Sequence, residues 1–165
     1  MKNFCYLSIF LVILVSCSWV NTNTKKNVTL VENYVNAVQN LDYNLMETYL
    51  SEDYMGYGPS VNDSIGKSGA VNSWKKNISE LYEKIEYKQS RVMAVSVEDG
   101  HNKGDWVSNW AELEITYKGG DDVVNIMANT IYMIAGDKIS KSYTFYNEAD
   151  ALEQLGYVFI NPNNL

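Results

Sequence analysis

Apolar residues recur at helical spacing from Val28. Leu30, Val31, Tyr34, Val35, Val38 and Leu41 share one face, which predicts an amphipathic helix to about Asn40. A shorter helix is predicted from Tyr43 to Leu50, with Leu45, Met46 and Tyr49 inward, and Ser51-Glu52-Asp53 breaks it. Tyr54 to Tyr57 reads as a short strand ended by Gly58-Pro59. Ser68 has the chemistry of an N-cap for a third helix, which runs to about Lys84 and presents Val71, Trp74, Ile78, Leu81 and Tyr82.

The period then changes from helical to alternating. Ile85, Tyr87, Gln89, Arg91, Met93, Val95 and Val97 fall on one side of a long strand. A turn at Asp99–Gly104 leads to a strand from Asp105 to Tyr117, and Gly119-Gly120-Asp121-Asp122 to one from Val123 to Ala135. Gly136-Asp137 is a tight hairpin signal before a last strand from Lys138 to Tyr146, and Asn147 is placed to cap a final short helix. Helices first and long hairpin-linked strands afterwards predict an α+β domain: a curved antiparallel sheet wrapped around N-terminal helices.

Composition narrows the function. The chain has 165 residues, 13 of them tyrosine, and a net charge of −7. Tyrosine suits pockets, because its ring packs while its hydroxyl seeks a partner. An acidic chain with no basic stripe and one arginine, Arg91, argues against a nucleic-acid partner. The only histidine, His101, lies in a turn, and both cysteines, Cys5 and Cys17, precede the predicted domain. Histidine triads, thiol nucleophiles and multi-histidine metal sites are therefore excluded, and neither metal nor cofactor is expected.

The first residues have the pattern of an export signal. Lys2 precedes Phe4–Val15, 12 residues interrupted only by Ser8, which is short of the roughly 20 a spanning helix needs. Leu14-Val15-Ser16-Cys17 resembles the lipobox of bacterial lipoproteins. That resemblance implies cleavage of residues 1–16, acylation of Cys17 and attachment to the cell envelope. Ser18 is not the aspartate associated with inner-membrane retention, which favours an outer membrane, facing periplasm or exterior. Residues 17–27, polar from Asn21 onward, are expected to form a flexible tether, with the domain spanning 28–165.

The element order, with Gly136-Asp137-Lys138-Ile139 before the final strand and Tyr146-Asn147 at its end, resembles the nuclear transport factor 2-like superfamily, including SnoaL-like cyclases and ketosteroid isomerases. The resemblance implies a cone enclosing a blind apolar pocket. Asn33-Tyr34-Val35-Asn36-Ala37 matches the helix whose tyrosine donates to an oxyanion in the isomerases. The isomerase base falls on Gly58 and the second acid on Thr130, so the resemblance does not carry the isomerase or cyclase activity to this chain.

The pocket candidates are Tyr34, Tyr54, Tyr57, Trp74, Asn109, Thr130 and Tyr132, with Asn129 competing with Thr130 because neighbours in a strand face opposite sides. Core or rim packing is the alternative for each. Trp106 and Trp110 fall opposite the core set Val107, Asn109, Ala111, Leu113 and Ile115, and are expected outside as a homodimer interface unless a bulge turns one inward. Three readings follow. The chain is a lipid-anchored protein binding a small apolar or amphipathic molecule or a partner protein, a SnoaL-like enzyme acting on a carbonyl compound, or a structural dimerisation module.

Overall fold

The computed structural model describes residues 22–120, 123–161 and 163. Helix α1 spans Thr22–Gln39, α2 Tyr43–Tyr49, α3 Lys67–Glu80 and α4 Glu148–Gln154. The strands are β1 Leu50–Tyr57, β2 Ser64–Gly66, β3 Tyr82–Val97, β4 Gly104–Tyr117, β5 Val123–Ala135 and β6 Lys138–Tyr146. They form one sheet in the order β2-β1-β6-β5-β4-β3. The four long strands meander antiparallel as expected, but β1 lies parallel to β6, so the sheet is mixed rather than purely antiparallel. The chain reaches β1 before the meander, and the open edge of β6 accepts it in the parallel sense.

The apolar stripe of α1 fills the hollow of this sheet. Val31, Tyr34, Val35 and Val38 are buried against Ile85, Val107, Ile115, Val124 and Ile134. Full burial of a side chain of this size contributes about 1.5–3 kcal/mol. The helix starts six residues earlier than its apolar period predicts. Asn27 is buried and its Nδ2 donates to Asp105 Oδ2 at 3.3 Å, so a polar contact with the start of β4 extends the helix. Residues 22–27 are thus helical rather than part of a tether; Cys17 and the signal 1–16 lie outside the described residues.

The third helix also departs from expectation. It begins at Lys67 with Gly66 as a cap that makes no side-chain bond, because β2 runs directly into it. It ends at Glu80, and Tyr82 already pairs with Tyr117. At the other end of the sheet, Asn147 caps α4 by accepting from Asp150 N, as its sequence position predicts.

The register of β3 holds the main correction. Lys88 pairs with Glu112 but Arg91 with Trp110, so Gln89 and Ser90 together face one residue of β4. Gln89 has φ 48°, and this bulge reverses the strand's alternation. Ile85 and Tyr87 face the core before it; Val92 and Ala94 face the core after it, and Met93 and Val95 turn outward. A single alternating set from Ile85 to Val97 therefore does not exist. Asn109 of β4 is 3% exposed and donates from Nδ2 to Ser90 Oγ at 2.7 Å, which fixes the extra residue in place. Another extra residue, Ser140, lies in β6 between the pairs Ile134–Ile139 and Met133–Lys141, and its hydroxyl donates to Met133 O at 3.2 Å.

Removing the clamp on the β3 bulge tests its importance. Asn109→Ala is expected to lower the unfolding free energy by about 1 kcal/mol, because a part-buried hydrogen bond that holds the extra residue is lost while the exposed Ser90 hydroxyl turns to solvent. The urea midpoint should fall with little change in slope; an unmoved midpoint would refute the clamp.

Candidate functional site

A cavity of about 270 Å³ lies between α1, α3 and the concave face of the sheet. Strand parity decides what enters it. In β4, Asn109, Leu113, Ile115 and Tyr117 point inward; in β5, Ile126, Ala128, Thr130 and Tyr132; in β6, Ser142, Thr144 and Tyr146. The helices add Tyr34 and Val38 from α1 and Trp74 from α3, and α4 closes over the rim with Ala151.

Seven tyrosines border this space: Tyr34, Tyr54, Tyr82, Tyr87, Tyr117, Tyr132 and Tyr146. They fall into two groups. Tyr34, Tyr54, Tyr87 and Tyr132 form the deep end, where the Tyr34 ring meets Tyr132 edge-on with centroids 5.8 Å apart. Tyr82, Tyr117 and Tyr146 are half-buried and form the other end. Tyr82 links Trp74 at 6.1 Å to Tyr117 at 5.7 Å. The deep hydroxyls are braced from the sides. Tyr54 and Ser142 share a hydrogen bond of 2.7 Å, and Thr130 and Thr144 share one of 3.2 Å.

Burial sets the ionisation of these rings. It raises Tyr34 and Tyr132 well above the ordinary tyrosine value, neighbouring tyrosines add to the shift, and hydrogen bonds from Trp74 and Thr130 offset part of it. Burial also pushes Tyr87 up to about 12, and burial with Tyr117 and Tyr146 nearby does the same for Tyr82. Tyr87 has accessible surface because its ring borders the cavity, while its hydroxyl is enclosed by protein. A raised tyrosine pKa means the folded state holds the proton more tightly than the unfolded chain. The stability these groups contribute is complete below pH 10 and declines from there through about 12. Near neutral pH every hydroxyl is a neutral donor, and the lining contains no aspartate, glutamate, histidine, lysine or arginine.

Six of the seven pocket candidates line the cavity: Tyr34, Tyr54, Trp74, Asn109, Thr130 and Tyr132. Tyr57 does not. It points to the convex side and stacks on Tyr143 with centroids 4.9 Å apart, because Tyr54 and Gly56 take the inward positions of β1. Asn129 also faces outward, where its Oδ1 accepts from Ser108 Oγ at 3.1 Å. Asn109 combines a place in the wall with its hold on Ser90. Tyr82, Tyr87, Tyr117 and Tyr146 are lining residues that the sequence reading did not select. Extending the inward alternation of β4 from Val107 would have reached Tyr117, and Tyr87 shares the side of Ile85.

The two tryptophans on the convex side differ. Trp106 is 8% exposed rather than open to a partner. Its Nε1 donates to Asn102 O at 2.7 Å, and its ring lies against Tyr143 at 6.2 Å, so the chain's own turn and β6 bury it. Trp110 remains half-buried on that face. Met93, Val95, Met127 and Phe145, all more than half exposed, lie on the convex side.

The positions that resemblance assigns to catalytic acids hold different chemistry. Thr130 is engaged with Thr144. Gly58 has φ 94°, and a Cβ there would lie 2.3 Å from Thr144 O, so backbone contact closes the position to any side chain. Among the described residues no group of three or more His, Cys, Asp or Glu is placed to hold a metal ion, and no helix is long and apolar enough to cross a membrane.

No protein-family model and no curated protein sequence matches the chain. Solved structures do. A candidate polyketide cyclase from Xanthomonas campestris pv. campestris superposes with a TM-score of 0.67 at 14% identity, covering 81% of this chain and 99% of that one. An LEH-like epoxide hydrolase from M. tuberculosis gives 0.60 at 16% identity, with 81% and 91% covered. An NTF2-like protein from Burkholderia xenovorans LB400 gives 0.61 at 15% identity, with 79% and 96% covered. Curved sheet, enclosed α1 and inner cavity together with these superpositions show that the chain has the α+β cone fold of the nuclear transport factor 2-like superfamily.

Proposed function

We propose that the protein is a lipid-anchored envelope protein whose cavity binds a small, uncharged, amphipathic molecule. The observation that carries this reading is the lining: seven tyrosine rings and Trp74 offer apolar faces, and the hydroxyls offer hydrogen bonds without charge. An anion would lose its water and find no cation in the wall, and the desolvation cost would dominate. Cyclisation or isomerisation next to a carbonyl needs a base tuned to neutral pH. Tyrosines raised this far are not such bases, which favours binding over catalysis.

Native mass spectrometry of the purified protein tests the reading directly by looking for a co-purified small molecule. For that molecule, Tyr34→Phe is expected to weaken affinity roughly tenfold, the value of about one neutral hydrogen bond, with little change in melting temperature. Wild-type affinity should be flat from pH 6 to 9, since every shifted lining group titrates above 10. Unaltered affinity in Tyr34→Phe would reject that residue's role.

The anchor rests on the lipobox-like Leu14–Cys17 and on Ser18, which favours the outer membrane. Thr22 is already helical and lies five positions after Cys17, a span of at most about 18 Å, so an acylated Cys17 would hold the domain close to the bilayer. In a bacterial host fed an alkynyl fatty acid, the wild type should carry the label in the membrane fraction and Cys17→Ala should not; an unlabelled wild type would end the anchor reading.

The convex face supports a second copy of the chain as partner. Met93, Val95, Met127 and Phe145 are exposed on it, and Trp110 is half-buried there. Trp110→Glu is expected to convert dimers to monomers by light scattering, and an unchanged mass would remove this surface from consideration.

A further inference from the structure

Beside the main cavity lies a second space of about 170 Å³, between α3 and the inner side of β1. The two spaces share four wall residues: Tyr54, Trp74, Ser142 and Thr144. The second space exists because β1 has no inward side chain after Tyr54. The next two inward positions are Gly56 and Gly58. Both are closed to substitution, since a Cβ at Gly56 would lie 2.7 Å from Tyr54 Oη, and one at Gly58 would lie 2.3 Å from Thr144 O. The opposite wall is the α3 stripe Ala70, Ser73, Trp74 and Asn77, at the spacing of one helix face. Ser73 is exposed at the rim and Asn77 is half-buried.

We propose that the two spaces form one two-chambered site for an elongated, uncharged ligand. Its apolar or ring-bearing end occupies the tyrosine chamber, and a hydrogen-bonding tail passes between Tyr54 and Trp74 toward Ser73 and Asn77. This deepens the ligand-binding reading and rests on it. The chemistry of the walls sets the polarity of the ligand. The main chamber presents ring faces, whereas the side chamber presents the Ser73 hydroxyl, the Asn77 carboxamide and two bare glycine backbones among the smaller apolar surfaces of Ile65 and Ala70. Its volume admits about five or six water-sized groups, the size of a short substituted chain rather than a second ring system.

Calorimetric titration with ω-phenoxyalkanols carrying two, four and six methylenes tests the proposal. In the wild type, affinity should rise with tail length by up to about fourfold per buried methylene. In Ser73→Trp the indole fills the rim of the side chamber, and the ratio of long-tail to short-tail affinity should collapse toward one. The position is an exposed helix site, so a cooperative melt close to that of the wild type confirms that the variant folds. Equal affinity of the wild type for all three alcohols, or an undiminished ratio in Ser73→Trp, overturns the two-chambered site alone. A wild type that binds none of the three overturns the pocket reading and this inference with it.

Discussion

The bulge midway along β3 makes the rest of the structure possible. A regular strand of 16 residues would present one alternating set to the core along its whole length, and the sheet would stay too open to enclose α1. The bulge at Gln89–Ser90 bends the strand and exchanges its faces. Ile85 and Tyr87 then serve the wall of the cavity, while Val92 and Ala94 pack against the core near the start of α1. The bulge at Ser140 acts similarly on β6. Both are held by short polar contacts of serine hydroxyls, to Asn109 in one case and to the Met133 carbonyl in the other.

Separation of charge from the interior is the second organising feature. The chain is acidic, yet the cavity wall is neutral. Charged groups meet instead on the convex side, where Lys84 and Lys88 flank Glu86 and hold its carboxyl down to about 2, with Glu114 alongside. These side chains are solvated, so their contacts order the surface more than they stabilise the fold. Inside, Ser142 meets the hydroxyl of Tyr54, Thr130 and Thr144 meet each other, and the other tyrosine rings border the open space. Among the described residues no fully enclosed side-chain oxygen or nitrogen lacks a partner.

Much of this arrangement was legible in the order of residues. The 3.6-residue period of Val31, Tyr34, Val35 and Val38 fixed the buried face of α1, and the alternation Val107, Asn109, Ala111, Leu113 and Ile115 fixed the inner face of β4. The illegible parts share a cause: contacts between distant segments overrode local pattern. Nothing near Gln89 announces a bulge, because the need for one comes from wrapping α1. Trp106 is shielded by a turn carbonyl and by Tyr143, which lies 37 positions along the chain. The early start of α1 depends on Asp105, 78 residues from Asn27. Tyr57 was misplaced because the short strand's inward side belongs to Tyr54 and two glycines.

Those glycines constrain how such a protein can diversify. Position 58 abuts the backbone of the neighbouring strand and position 56 the tip of an aromatic ring, so neither tolerates enlargement. The strand is therefore a fixed template, like the unlettered side of a mould. Variation in the adjoining hollow has to be inscribed on the opposing helix, where Ser73 and Asn77 stand at positions free to change size and polarity without disturbing the sheet.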